Sequence, residues 1–108
     1  MVLYTIDIPC NTEPMPATKL IHIKESHGDG FIEIVTWKIP NPLLPSEHSF
    51  KYSLVYIVDG KRVVGYDNER GKGDHKHLND EELEYDFVSP AQLMSDFMAD
   101  IEGVIDGK

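Results

Sequence analysis

The sequence predicts an α+β fold, an antiparallel β-sheet of about five strands with a C-terminal α-helix packed on one face. Three observations predict it. Short runs rich in β-branched and aromatic residues recur through residues 2–66, bounded by clusters of Gly, Pro, Asp and Asn. Asp59-Gly60 lies between two such runs, and this dipeptide supplies the positive φ angles of a two-residue hairpin turn. Finally, Ser89-Pro90-Ala91-Gln92 opens a stretch with apolar residues at three- and four-residue spacing, the pattern of an amphipathic helix.

Residues 2–8 and 19–25 are the first two strands, separated by the Pro-containing stretch 9–16. His27-Gly28-Asp29-Gly30 is a turn. After it, Phe31, Glu33, Val35, Trp37 and Ile39 alternate with Ile32, Ile34, Thr36 and Lys38, giving a strand that is apolar over much of both faces. Pro40, Pro42 and Pro45 lack backbone donors and end its ladder. The hairpin runs from Ser49 to Val58 and from Lys61 to Tyr66. With Asp59 and Gly60 as its only turn residues, Val58 faces Lys61, Tyr56 faces Val63 and Lys51 faces Asn68. Alternation then puts Lys51, Val64, Tyr66 and Asn68 on one face, an arrangement that a slip of one residue would undo. In the helix, Ser89 is the N-cap, Pro90 the first helical residue and Gln92 the third after the cap, the capping-box pattern. Leu93, Met94, Phe97, Met98, Ile101, Val104 and Ile105 form its apolar stripe.

A chain of 108 residues suits one domain, 1–108. The start is not a secretory signal, because it lacks positive charge and Asp7 interrupts its apolar run. No stretch approaches the roughly 18–20 apolar residues needed to span a bilayer. Cys10 is the sole cysteine, which excludes an intramolecular disulfide and a multi-cysteine zinc knuckle. The expectation is a cytoplasmic protein with no membrane partner. A net charge of −9 excludes a basic protein that coats a duplex. Any nucleic-acid site must be local. Residues 51–77 carry six Lys or Arg against four Asp or Glu, with His75 and His77 besides, whereas residues 78–108 set Lys108 against nine carboxylates.

The cationic segment Tyr66-Asp67-Asn68-Glu69-Arg70-Gly71-Lys72-Gly73-Asp74-His75-Lys76-His77 has almost no apolar content. Gly71 and Gly73 flank Lys72 and permit close approach of an anion to amide donors. The spacing is not that of a P-loop. Arg70 can grip a phosphate through two parallel hydrogen bonds, and Lys72 adds a mobile point charge. His75 and His77, two apart, point the same way on an extended segment, and imidazole suits proton removal and donation near neutrality. Asp74 suits the orientation of an imidazole. Two other readings compete: an ordinary polar loop, and a metal set of Asp74, His75 and His77 with His48 or Asp67 added. Arg70, Lys72 and Lys76 would repel a divalent cation there. His48 shares its alternate set with Phe50 and Tyr52 and reads as structural, while His22 and His27 carry no motif.

Trp37-Lys38-Ile39-Pro40, His48-Ser49-Phe50-Lys51-Tyr52, the run from Gly65 to His77, Tyr85-Asp86-Phe87 and the helix from Leu93 to Ile101 together resemble the TumE toxin family of prokaryotic toxin–antitoxin systems. The resemblance covers roughly residues 19–103. It implies a small toxic protein silenced by a cognate antitoxin, commonly one with a helix-turn-helix domain, and it implies RNA cleavage. Its family-like positions are Lys51, Tyr52, Asp67, Asn68, Arg70, Lys72, Asp74, His75 and His77, with no roles attached. Chemistry supplies the roles: His75 and His77 for acid–base catalysis, Asp74 to orient them, and Tyr52 to stack or donate a proton. Lys51, Arg70 and Lys72, with Asn68, would hold phosphate.

The resulting expectation is an endoribonuclease that needs neither metal nor other cofactor, takes RNA as substrate and has an antitoxin as partner. The helix stripe would serve a core and a homo-oligomer interface equally. The acidic balance works against RNA binding, because phosphate is bound by Lys and Arg. The alternatives are a non-catalytic module that binds RNA, a nucleotide or a protein through Arg70 and Lys72, and a metal-dependent nuclease using Asp74, His75 and His77.

Overall fold

A computed structural model describes Val2–Leu3 and residues 18–107. The strands are β1 (Val2–Leu3), β2 (Thr18–His27), β3 (Gly30–Lys38), β4 (Phe50–Val58), β5 (Lys61–Glu69), β6 (Gly73–Leu78) and β7 (Glu81–Glu84). They form one sheet in chain order, each antiparallel to its neighbours. Helix α1 (Pro90–Asp106) follows. The α+β class is as expected. Of the predicted first strand only Val2–Leu3 is described; its remainder and Cys10 lie outside the described residues.

The sheet has more strands than expected because the polar segment 66–77 is no loop. Here β5 runs on to Glu69, a turn at 70–72 reverses the chain, and β6 pairs back from Gly73. Gly71 (φ 90°) and Gly73 (φ 76°) supply the left-handed backbone that this turn needs. A polar strand is stable here because one face of an antiparallel sheet can meet water.

The other face carries the core. Ile32 and Ile34 of β3, Tyr52, Leu54 and Tyr56 of β4, and Val64 and Tyr66 of β5 are buried against Leu93, Phe97 and Ile101 of α1. The helical stripe thus packs as predicted. Ser89 Oγ accepts the Gln92 N–H at 3.1 Å, so half of the capping box forms. The Gln92 side chain turns forward instead and donates to Asp96 at 2.8 Å. Polar contacts also hold α1 down. Tyr66 donates its hydroxyl to Asp100, which also accepts from Lys76 Nζ at 3.2 Å, and Tyr85 donates to Asp96 at 2.6 Å. Burial and these carboxylates push the Tyr66 and Tyr85 hydroxyls above the ordinary tyrosine range. No helix among the described residues is long and apolar enough to cross a membrane.

The hairpin register corrects the face assignment of Lys51. Val58 pairs with Lys61 and Ile57 with Arg62, as a two-residue turn dictates, but Tyr56 then pairs with Val64 and not with Val63. A β-bulge at Val63 shifts every later pair by one. Leu54 therefore faces Tyr66, and the buried residues of both strands meet on the helix side. Lys51 alternates with buried Tyr52, so it points to the open side, opposite Val64, Tyr66 and Asn68.

Phe97 is fully buried at the centre of the helix–sheet contact. Phe97→Ala should lower the unfolding free energy by about 3–5 kcal/mol, read from the midpoint of urea denaturation. Ile105→Ala, at a residue 37% exposed, should shift that midpoint far less.

Candidate functional site

Successive residues of a strand point to opposite faces, and β6 divides the polar segment accordingly. Asp74 and Lys76 share the helix side with their partners Asn68 and Tyr66, whereas His75 and His77 share the open side with Asp67 and Gly65. Two separate networks result.

The helix-side network centres on Asp74. Its Oδ1 accepts from the Tyr52 hydroxyl and from His48 Nε2, both at 2.7 Å, and its Oδ2 accepts from Ser46 Oγ at 3.0 Å. His48 Nδ1 accepts the Phe50 N–H at 3.2 Å, which fixes the proton on Nε2. The His48 ring stacks on Phe87 with centroids 3.8 Å apart. Tyr52 is 0% exposed, and burial together with the Asp74 carboxylate pushes its hydroxyl far above the ordinary tyrosine range. Its buried ring gives a base nothing to stack on, which corrects the stacking role expected for it. The groove beside this network is also lined by Glu47, Glu84 and Asp86, which repel phosphate. Asp74 does orient an imidazole, but it is that of His48.

The open-side network brings one ligand atom each of Asp67, His75 and His77 within 4.8 Å of one another. Asp67 lies directly opposite His75 in the β5–β6 ladder. His75 is 4% exposed and donates Nδ1–H to the Gly73 carbonyl at 3.1 Å. Its Nε2 therefore faces a ring of carboxylates: Asp67 Oδ1 at 2.5 Å, Glu82 Oε2 at 3.6 Å and Glu69 Oε1 at 4.0 Å. The His77 ring meets that of His75 edge to face at 5.2 Å, with Nε2 3.5 Å from Glu82 Oε2. Burial, and next the Arg62 guanidinium, hold the His77 pKa below the ordinary imidazole value.

Cations rim this centre. Arg62, paired with Ile57 ahead of the bulge at Val63, points to the open side, where it lies over Gly65, the ladder partner of His77. A Cβ on Gly65 would stand 2.7 Å from Arg62 Cδ, so glycine gives the guanidinium its path. Lys51 Nζ sits 5.9 Å from the Trp37 ring centroid and donates to the Asn68 carbonyl at 3.4 Å. Lys72 forms an exposed ion pair with Glu82 at 2.8 Å.

Of the residues nominated from sequence, His75, His77 and Lys51 share the open side, Lys72 stands at its rim, and Arg70 is exposed in the turn. Tyr52 and Asp74 lie across the sheet. Asn68 is fully buried, its Oδ1 accepting the Tyr52 N–H at 3.0 Å and its Nδ2 donating to the Phe50 carbonyl at 2.8 Å, so its amide braces β4 against β5. The metal set of Asp74, His75 and His77 is corrected likewise, because Asp67 and not Asp74 joins the two histidines. Sequence reasoning passed over Arg62 and Trp37 as site residues.

Asp74→Ala should lower the unfolding free energy by about 3 kcal/mol, because Tyr52 and His48 are left with unpaired buried donors. Tyr52→Phe, which removes one donor of the three, should cost about 1 kcal/mol. Urea denaturation of both variants checks the ratio.

A family model described as Toxin TumE matches residues 10–105, which include both networks and nearly all of α1. Comparison with the curated proteins found no match, and neither did comparison with the solved structures. A toxin family implies a cognate antitoxin as partner. With all but its two ends inside the match, the chain belongs to the TumE toxin family.

Proposed function

We propose that this toxin cleaves RNA on the open side of the sheet, by attack of a ribose 2′-oxygen on the adjacent phosphorus. The observation that carries the reading is the pairing of two imidazoles in different environments. Burial and the Arg62 guanidinium lower the His77 pKa, while His75 sets its Nε2 among three carboxylates. One is suited to take a proton and the other to give one. His77 takes the 2′-hydroxyl proton, the 2′-oxygen bonds to phosphorus, and the 5′-oxygen leaves with a proton from His75. The products are a 2′,3′-cyclic phosphate and a free 5′-hydroxyl. Arg62 and Lys51 face the phosphate oxygens, and Trp37 beside Lys51 offers a ring for a base. Asp67 positions His75. Lys72 joins the phosphate site when it leaves Glu82, and Arg70 extends the cationic rim along the turn.

The reading brings with it a single domain, 1–108, acting in the cytoplasm and silenced by an antitoxin with a helix-turn-helix domain. Nothing in the mechanism calls for a metal or another cofactor. The test is incubation of antitoxin-free protein with RNA in EDTA, with product ends determined. Cyclic phosphate ends are expected, and His77→Ala should slow cleavage by about 10²-fold or more with its unfolding midpoint retained. A folded, growth-arresting protein that binds RNA without cutting it would replace catalysis with a binding module. Arg62→Ala should weaken RNA binding and flatten its salt dependence, as loss of one phosphate contact does, while leaving the product ends unchanged.

A further inference from the structure

We propose that Asp67, His75 and His77 bind a divalent transition-metal ion, zinc or a close analogue, and that the bound ion switches RNA cleavage off. Two histidine nitrogens and one carboxylate oxygen within 4.8 Å make a donor set selective for zinc, cobalt, nickel or copper over magnesium. The outer contacts fit a ligand role. His75 Nδ1 donates to the Gly73 carbonyl, the bond that fixes the tautomer of a metal-bound imidazole and turns the other nitrogen to the ion. His75 is nine-tenths buried and its Nε2 points into the cluster. Asp67 Oδ1 is buried with no hydrogen bond of good geometry, although His75 Nε2 is only 2.5 Å away. Those two atoms face one another without a well-aligned proton between them, and a cation lying beside both would satisfy each.

The remaining requirements are space and charge. An ion about 2 Å from each donor sets the donors about 3.3 Å apart, so Asp67 Oδ1 and His75 Nε2, 2.5 Å apart without it, separate slightly while the His77 nitrogen moves inward. Glu82 Oε2, 3.6 Å and 3.5 Å from the two imidazole nitrogens, completes the coordination on leaving Lys72. Three carboxylates around His75 Nε2 offset the repulsion from Arg62.

The silencing half rests on the ribonuclease reading. An ion on both Nε2 atoms occupies the lone pair that would take the 2′-hydroxyl proton and the position from which the leaving oxygen would be protonated. Binding and inhibition are therefore measured separately. The purified protein is titrated with Co²⁺, followed by its visible d–d absorption, and with Zn²⁺ in competition. One ion per chain is expected, with Mg²⁺ unable to displace it. Asp67→Asn and His77→Gln should each weaken binding by at least about a hundredfold, since even an outer partner is worth about 10–100-fold, whereas Glu102→Gln on α1 should not. No Co²⁺ spectrum, or one that survives in both variants, overturns the metal site whatever the protein does to RNA. If Co²⁺ binds, Zn²⁺ should suppress cleavage and EDTA should restore it. Cleavage that rises with Zn²⁺ would overturn the silencing. Binding with no cleavage under any condition leaves the metal site standing and overturns the ribonuclease reading on which silencing rests.

Discussion

One extra residue in one strand governs the rest of the molecule. A two-residue turn at Asp59-Gly60 pairs residues of opposite parity, so the even-numbered apolar residues of β4 and β5 would fall on opposite faces. Tyr52, Leu54 and Tyr56 need the same face as Val64 and Tyr66 to bury against α1. The bulge at Val63 resolves the conflict by advancing the register by one. Core burial and the turn are both strongly specified, and the bulge is the small local irregularity that lets both be satisfied. By moving Val64 and Tyr66 to the helix side, the same step puts Asp67 and its ladder partner His75 on the open side, where the turn has already set Arg62. Core and candidate site therefore have one origin.

That parity conflict was present in the sequence. The Asp-Gly turn, the alternation in both strands and the amphipathic helix with its Ser89 cap could all be read from local chemistry, and the fold class followed from them. The bulge could be read only by asking whether the turn and the two apolar patterns agree, which they do not. The β6–β7 pair was hidden for another reason. Its strands are polar and edge-lying, so they carry no apolar alternation, and ladder hydrogen bonds to β5 are what hold them extended. Arg62 escaped notice because only the bulge brings Gly65 and Asp67 to its face, and Asp74 was grouped with the wrong imidazole because a neighbour in sequence is an opposite in a strand.

The sheet works here as a partition. On one side, Asp74 accepts three hydrogen bonds and ties Ser46 and His48, in the connection between β3 and β4, to β6. The Gly71 N–H, bonded to the Leu44 carbonyl at 2.7 Å, secures the neighbouring turn to that connection. On the other side, His75 and His77 gather with Asp67. A chain this acidic overall can hold cations locally because Lys51 and Arg62 on the strands and Lys72 in the turn are gathered where carboxylates are partly paired. Rigid strand positions give such groups a more defined geometry than a loop would.

The order of the strands has a consequence for synthesis. Every strand pairs with the one made just before it, so the sheet can assemble hairpin by hairpin from contacts close in sequence, an economy of search that favours rapid folding. The core does not close on the same schedule. Tyr52, Leu54, Tyr56 and Val64 share their core with Leu93, Phe97 and Ile101 of α1, which follows all seven described strands. A ribosome that has produced the whole sheet has thus produced an open layer without its cover, exposed to aggregation or to a waiting partner until residues 90–106 emerge.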